Sequence, residues 1–259
     1  MYGLVNLPVV PLRASDSERS EMISQLMFGE YVEILEQSDK WLYVRNSADN
    51  YHGWTDRKMI KIVSEKEFLN AQKAVKLKLS RPYTIIYHAL SNQTKLLPGG
   101  SVIYGLNGDE FQIGSEFWSL IDPVSIPEKN LSAHQILDVA IQYINAPYLW
   151  GGKTILGIDC SGFVQLVFAI GGYLLPRDAS QQVNVGKTVD FLSEVLPGDL
   201  AFFENEEGSI SHVGILMDTS KIIHASGWVK VENIDAQGII SSVTGEYTHQ
   251  LRVIKRILL

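Results

Sequence analysis

Hydrophobic residues change their spacing part-way along this chain, and that change limits the fold more than any other feature. Up to residue 124 apolar and polar residues alternate in strand-sized runs such as "EYVEILE" (30–36) and "KWLYVRN" (40–46), separated by turn formers such as "NSADN" (46–50). A period of two places alternate side chains on one face of a sheet. An internal echo refines the reading. Leu26, Gly29 and Val32 recur 70 positions later as Leu96, Gly99 and Val102, and Trp41 recurs 77 positions later as Trp118. The echo predicts two small β-barrels in tandem, residues 1–63 and 64–124, with "SEKEFLNAQKAV" (64–75) as a short helix or linker at the start of the second.

From residue 125 the period becomes helical. "LSAHQILDVAIQYI" puts Ile136, Val139, Ala140 and Tyr143 on one face, with Ser132 and Gln135 at capping-box spacing. "SGFVQLVFAIGG" predicts a second helix stopped by Gly171 and Gly172. Strands follow in "GDLAFFE", "HVGILMD", "KIIHAS" and "HQLRVIKRIL". Helices first and an antiparallel sheet afterwards make residues 125–259 an α+β domain.

A net charge of −7 provides no basic field for a phosphate backbone, so nucleic acid is not an expected partner. No run is long and apolar enough to cross a bilayer, and no membrane partner is expected. The first residues lack a basic region followed by an apolar leader. The expectation is a monomer in the cytoplasm, the alternative being the periplasm or exterior if a leader has been removed. The single cysteine excludes an internal disulfide and any multi-thiolate zinc site.

That cysteine, Cys160, follows Asp159 at the predicted entry to the second helix, where unpaired N–H groups favour a thiolate and a lowered pKa. Taken alone, a lone cysteine is most often a small buried hydrophobe. Two histidines change the balance. If "HVGILM" and "KIIHAS" form a hairpin around Asp218-Thr219-Ser220, Gly214 faces His224 and His212 is a diagonal neighbour of His224 on the same face. One imidazole can then take a thiol proton while the other orients it. A metal held by Cys160, His212 and His224 is a further reading, with no carboxylate at ligand spacing to support it. His52, His88, His134 and His249 read as structural or exposed.

"DCSGF", "SHVGI" and "IHASG", with their reactive positions 52 and 12 apart, resemble the three active-site blocks of the NlpC family of bacterial cell-wall cysteine peptidases, together with "YLWGG" upstream and "PRDASQQ" between. The resemblance covers residues 125–259 and implies a papain-like fold that needs no cofactor. The first 124 residues resemble paired bacterial SH3-like domains. By resemblance Cys160 is the nucleophile, His212 the base and His224 the orienting member. The implied reaction is cleavage of the γ-D-glutamyl-diamino acid bond in peptidoglycan stem peptides, in the manner of a γ-D-glutamyl-L-diamino acid endopeptidase. Implied substrate contacts are Tyr148, Trp150, Asp159, Ser161, Arg177 and Asp178, with Arg177 as a bidentate carboxylate ligand and Asp178 facing an amine. Relatives often carry Ser or Thr where this chain has Ala179.

Within that resemblance, the first barrel closes one end of the cleft, with Glu30 and Tyr51 binding the free amine of an N-terminal L-Ala. Free muropeptides, rather than intact wall, are then the substrate, and the setting is cell-wall recycling. The rival class is a non-catalytic wall-binding scaffold; a wall-cleaving hydrolase, amidase or acyltransferase on the same fold is a weaker alternative.

Overall fold

A computed structural model describes residues 1–122 and 130–258, so the expected boundary between 124 and 125 lies outside the described residues. The chain divides into two compact units, Met1–Pro127 and Glu128–Leu259.

In the first unit, strands β1 (Tyr2–Leu4), β2 (Val9–Arg13), β3 (Met22–Met27), β4 (Tyr31–Gln37), β5 (Trp41–Asn46), β6 (His52–Asp56) and β7 (Lys61–Val63) form one antiparallel sheet in the order β3-β2-β6-β5-β4-β1-β7. The alternation expected from sequence is real: Val10, Leu12, Val32, Ile34, Leu42 and Val44 all enter one core. Helix α1 (Glu65–Lys73), capped by Ser64, leads into β8 (Lys76–Lys78), β9 (Tyr83–His88), β10 (Gln93–Pro98), β11 (Val102–Tyr104), β12 (Glu110–Ile113) and β13 (Glu116–Leu120). Their pairings, β10-β9-β13-β12 and β11-β8, reproduce those of β3-β2-β6-β5 and β4-β1. Two SH3-like barrels in tandem are therefore present.

The echo is one position out of register with the sequence reading. Gly29 and Gly100 are the left-handed turn residues, at φ +82° and +84°. Gly29 N–H donates to Val5 O as Gly100 N–H does to Leu79 O, so Gly100, not Gly99, is the counterpart of Gly29. Adjacent glycines hide which of them bears the turn. Trp118 lies on β13, which pairs with β9 as β6 pairs with β2, so its counterpart strand is β6 and not the β5 that carries Trp41.

The barrels are joined through their interiors. Leu4, Phe28, Tyr31 and Val63 of the first share one core with Leu79, Ile86, Phe111 and Trp118 of the second. At the junction Val102 N–H donates to Phe28 O, and Tyr104 Oη–H to Gly29 O, each at 2.8 Å.

The second unit opens with α2 (Ala133–Ile141), whose N-terminus carries the expected capping box of Ser132 and Gln135. Ile136, Val139, Ala140 and Tyr143 are all buried. After the short hairpin of β14 (Lys153–Thr154) and β15 (Gly157–Ile158) comes α3 (Cys160–Ile170), ended by Gly171 and by Gly172 at φ +89°. Then follow α4 (Ala179–Gln182), β16 (Lys187–Val189), β17 (Leu200–Glu204), β18 (Ile210–Leu216), β19 (Lys221–Ser226), β20 (Trp228–Ile234), β21 (Gly238–Ile240) and β22 (Tyr247–Arg256). Their sheet runs β16-β22-β17-β18-β19-β20-β21, and a further pairing of β21 with β22 closes a six-stranded ring. The four expected strands are present; β16, β20 and β21 were not anticipated.

Candidate active site

Three motif blocks, "YLWGG", "DCSGF" and "PRDASQQ", interlock at the start of α3. Asp159 caps the helix, its Oδ1 accepting from Gly162 N–H at 2.7 Å and its Oδ2 from Gly151 N–H at 2.8 Å. Arg177 forks onto the same carboxylate, Nη1 to Oδ1 at 3.0 Å and Nη2 to Oδ2 at 2.5 Å, and also donates to Ser161 Oγ at 2.9 Å. Gln182 Nε2 reaches Ser161 O at 3.0 Å and Pro176 O at 2.8 Å. A Cβ on Gly162 would stand 2.4 Å from Gly152 O, so the glycine of "DCSG" is required by the close approach of that block to "YLWGG".

Asp159 and Arg177, both buried, thus hold each other and the helix start. A pair of this kind costs much desolvation, and removing one partner strands the other, so it fixes geometry more than it adds stability. Asp178 precedes α4 without a side-chain cap. Trp150 is 60% exposed and Tyr148 half-buried. In the first unit, Glu30 is buried, its Oε2 accepting from Met27 N–H at 2.9 Å and Asn46 Nδ2 at 3.2 Å. Tyr51 packs against the first barrel's core.

Cys160 opens α3 and is itself buried. Burial raises its thiol pKa to about 11, Asp159 adds to the rise, and the N–H groups of Val213 and Ser161 and the Arg177 charge offset part of it. The expectation of a lowered pKa at a helix start is therefore overturned, because desolvation and the neighbouring carboxylate outweigh the backbone donors. The N–H of Val213 directed at the thiol brings Cys160 against β18 one residue beyond His212.

The hairpin register is as the sequence predicts, with Gly214 opposite His224. His212 Nε2 and His224 Nδ1 are 2.9 Å apart. His224 continues outward to a residue that sequence reasoning did not find: its Nε2 lies 2.9 Å from Glu232 Oε2. Glu232, on the unanticipated β20, is held in turn by Ser242, whose N–H and Oγ–H donate to Oε1 at 2.8 and 2.9 Å, and by Lys230 Nζ at 3.3 Å. The alternation of "WVKVENI" after Ser226-Gly227 was the available signal. It sets Glu232 opposite Ile222, on the face that carries His224.

This chain of partners assigns the protons. Burial pushes the Glu232 carboxyl up, but the hydrogen bonds from His224 and Ser242 prevail and bring it down to about 2. An ionised carboxylate only accepts, so His224 Nε2 carries the proton and Nδ1 is an acceptor. His212 Nε2–H must then donate to His224, which leaves His212 Nδ1 with a free lone pair. Burial, then His249 and His224, hold the His212 pKa well below the ordinary value, so the resting imidazole is neutral. A neutral thiol beside a neutral, tautomer-fixed imidazole is the resting state of a general-base pair.

His249, which reads from the sequence as structural or exposed, has its ring 4.1 Å from that of His212. Among the described residues no group of three or more His, Cys, Asp or Glu side chains is placed to hold a metal ion.

The NlpC/P60 family profile matches residues 145–253, and that of the bacterial dipeptidyl-peptidase SH3 domain matches residues 12–59. A gamma-D-glutamyl-L-lysine dipeptidyl-peptidase of Bacillus subtilis is 30% identical over 218 residues, spanning 78% of this chain and 71% of its own. Dipeptidyl-peptidase 6 of Lysinibacillus sphaericus is 26% identical over 261 residues, spanning 92% and 93%. A crystal structure of an NlpC/P60 family protein from Bacillus cereus superposes over 100% of both chains with a TM-score of 0.88 at 17% identity, a likeness of fold.

Proposed function

The chain belongs to the NlpC/P60 family of cysteine peptidases, and we propose that it hydrolyses the γ-D-glutamyl-diamino acid bond of free peptidoglycan stem peptides that begin with L-Ala. The observation that carries the chemistry is the line of partners from Glu232 through His224 to His212, ending on a free Nδ1 beside the β18 contact of Cys160.

In the first half-reaction Cys160 Sγ attacks the scissile carbonyl carbon while His212 Nδ1 takes the thiol proton. The imidazolium that forms is stabilised through His224 by the Glu232 charge. Negative charge gathers on the carbonyl oxygen, for which the Cys160 backbone N–H in the first turn of α3 and the Tyr148 phenol are the donors at hand. Burial first, and then the neighbouring Asp159 charge and the Cys160 thiol where it ionises, raise the phenol pKa to about 12, which keeps it protonated. Collapse breaks the C–N bond, and the diamino acid leaves as an amine with the proton returned by His212. Water, deprotonated by the same imidazole, then hydrolyses the thioester and regenerates the thiol.

The identity of the relatives supports the peptide substrate. Trp150, exposed, and Asp178, at the start of α4, are the substrate contacts of the second unit, by their place in the family's motif blocks, with Asp178 facing an amine. Asp159, Ser161 and Arg177 act through the shape of the helix start, since their polar groups engage one another. The resemblance alone carries Glu30 and Tyr51 over as the residues that select a free L-Ala amine, since Glu30 Oε2 is engaged by Met27 and Asn46 within its own barrel; recycling in the cytoplasm is the setting that goes with that selection. The test compares L-Ala-γ-D-Glu-diaminopimelate with the same peptide acetylated at L-Ala, following product mass. Cleavage confined to the free peptide and abolished in Cys160→Ala supports the reading. Equal rates on both peptides remove amine selection, and activity that survives Cys160→Ala removes the mechanism.

A further inference from the structure

We propose that His249 is a positioning residue for the general base, holding the His212 ring in its working orientation and separating it from solvent. This rests on the peptidase reading above. His249 lies on β22, opposite Ile239 of β21, and its ring covers that of His212 at 4.1 Å with an interplanar angle of 31°. Phe203 closes the cluster, 5.7 Å from His212 and 5.9 Å from His249. Thr248 Oγ1, 2.9 Å from His249 Nδ1, anchors the covering ring. His212 is therefore held by the hydrogen bond to His224, by the His249 ring over it and by the tilted Phe203 ring beside it.

What lies beyond His249 shows what it excludes. A pocket of about 890 Å³ opens there, lined by Glu204, Ser211, Gln237, Tyr247 and His249, and it stops at His249 without reaching His212. Removing the ring would extend this open space toward the base. An aromatic shield that carried a charge would oppose the imidazolium formed in the reaction, and this one does not: burial, then His224, bring its pKa down to about 4. The charged and titratable groups around it are His212 on β18, His224 on β19, Lys230 and Glu232 on β20, with Glu204, Glu206 and Tyr247 on the pocket side. Glu204 is already paired with Arg252 at 3.3 Å. A neutral ring stacked on a forming cation is attractive.

The experiment uses the full chain with His249→Ala, His249→Phe and His249→Gln. Rates on L-Ala-γ-D-Glu-diaminopimelate are measured against pH, and the His212 imidazole is titrated by ¹⁵N NMR in a Cys160→Ser background, which needs no turnover. In His249→Ala, kcat should fall by roughly tenfold or more with KM within about twofold, because only the orientation of the base is lost. Its acidic limb and the His212 titration should both move up toward the ordinary value, because burial and His249 are the leading causes of the depression. His249→Phe, which keeps a ring, should stay within roughly threefold of the parent and titrate lower than His249→Ala. Unchanged kcat and titration in His249→Ala would overturn the proposal. A change confined to KM would overturn it too, making His249 a substrate contact. Should the alanine variant not fold, the Phe and Gln variants decide the matter, equal rates counting against a role for the ring. If the peptidase reading itself fails, Cys160→Ala retains activity, whereas the His212 titration still reports on the stack.

Discussion

Replacing Glu232 by Gln changes one atom of the side chain and reverses the proton arrangement of the whole site. Glu232 Oε1 accepts two hydrogens from Ser242, at 2.8 and 2.9 Å, and meets Lys230 at 3.3 Å, whereas among the described residues Oε2 accepts from His224. A glutamine would set its carbonyl toward Ser242 and Lys230, leaving its NH₂ facing His224 Nε2. That nitrogen must then accept, so the His224 proton moves to Nδ1, His212 Nε2 becomes an acceptor, and His212 Nδ1 is protonated. The base loses the lone pair it needs. The lost charge has its own cost: a carboxylate about 8 Å from the imidazolium, at an effective dielectric constant of about 20, contributes about 2 kcal/mol. That alone is roughly 30-fold in rate. Tautomer reversal adds to it, and an analogous carboxylate-to-amide change in a serine protease triad costs about 10⁴. Glu232→Gln should therefore lower kcat by at least ~30-fold with KM within about twofold. Steady-state kinetics on the free tripeptide measure the loss, and ¹⁵N NMR of the two imidazoles shows which nitrogens carry protons. A kcat within threefold of the parent, or a His212 that keeps its proton on Nε2 in the variant, would refute the reasoning.

Activity should rise through an acidic limb below pH 6.5, because burial depresses His212 and only the neutral ring can take the thiol proton. It should then hold level through the neutral range, since the thiol titrates at about 11; a limb centred above pH 6.5 counts against the base assignment. In Gly162→Ala the added methyl would stand 2.4 Å from Gly152 O. Thermal unfolding should show a loss of about 1–3 kcal/mol despite alanine's better helix propensity, and an unchanged or higher Tm would count against the close approach of the two blocks.

The parts of the site legible in the sequence are those fixed by local rules. Hairpin register follows from loop length and a period of two, so the meeting of His212 and His224 was predictable from the residues between them. The Ser132–Gln135 box is likewise a matter of spacing. The Cys160 pKa was misjudged because the helix start is visible in sequence, whereas the sheet packed over it is not. Glu232 and His249 were missed for a topological reason. One lies on a strand that continues the hairpin and the other comes from the last strand, brought beside His212 when β21 pairs with β22 and closes the ring. Such closure depends on contacts distant in sequence. The choice between Gly99 and Gly100 failed at the opposite scale, since a single φ value decides it.

The shared interior of the two barrels bears on how the chain is made. Leu4, Phe28, Tyr31 and Val63 belong to a core whose other members extend to Trp118 and Leu120. When residue 63 leaves the ribosome the first barrel has its strands but not the packing for these four side chains. Synthesis at roughly 5–20 residues per second leaves an interval of several seconds before the remaining partners emerge. During that interval an apolar face is open to chaperones and to other nascent chains. Stalling translation between residues 63 and 120 should therefore leave an N-terminal fragment more sensitive to protease than the same residues in the finished protein.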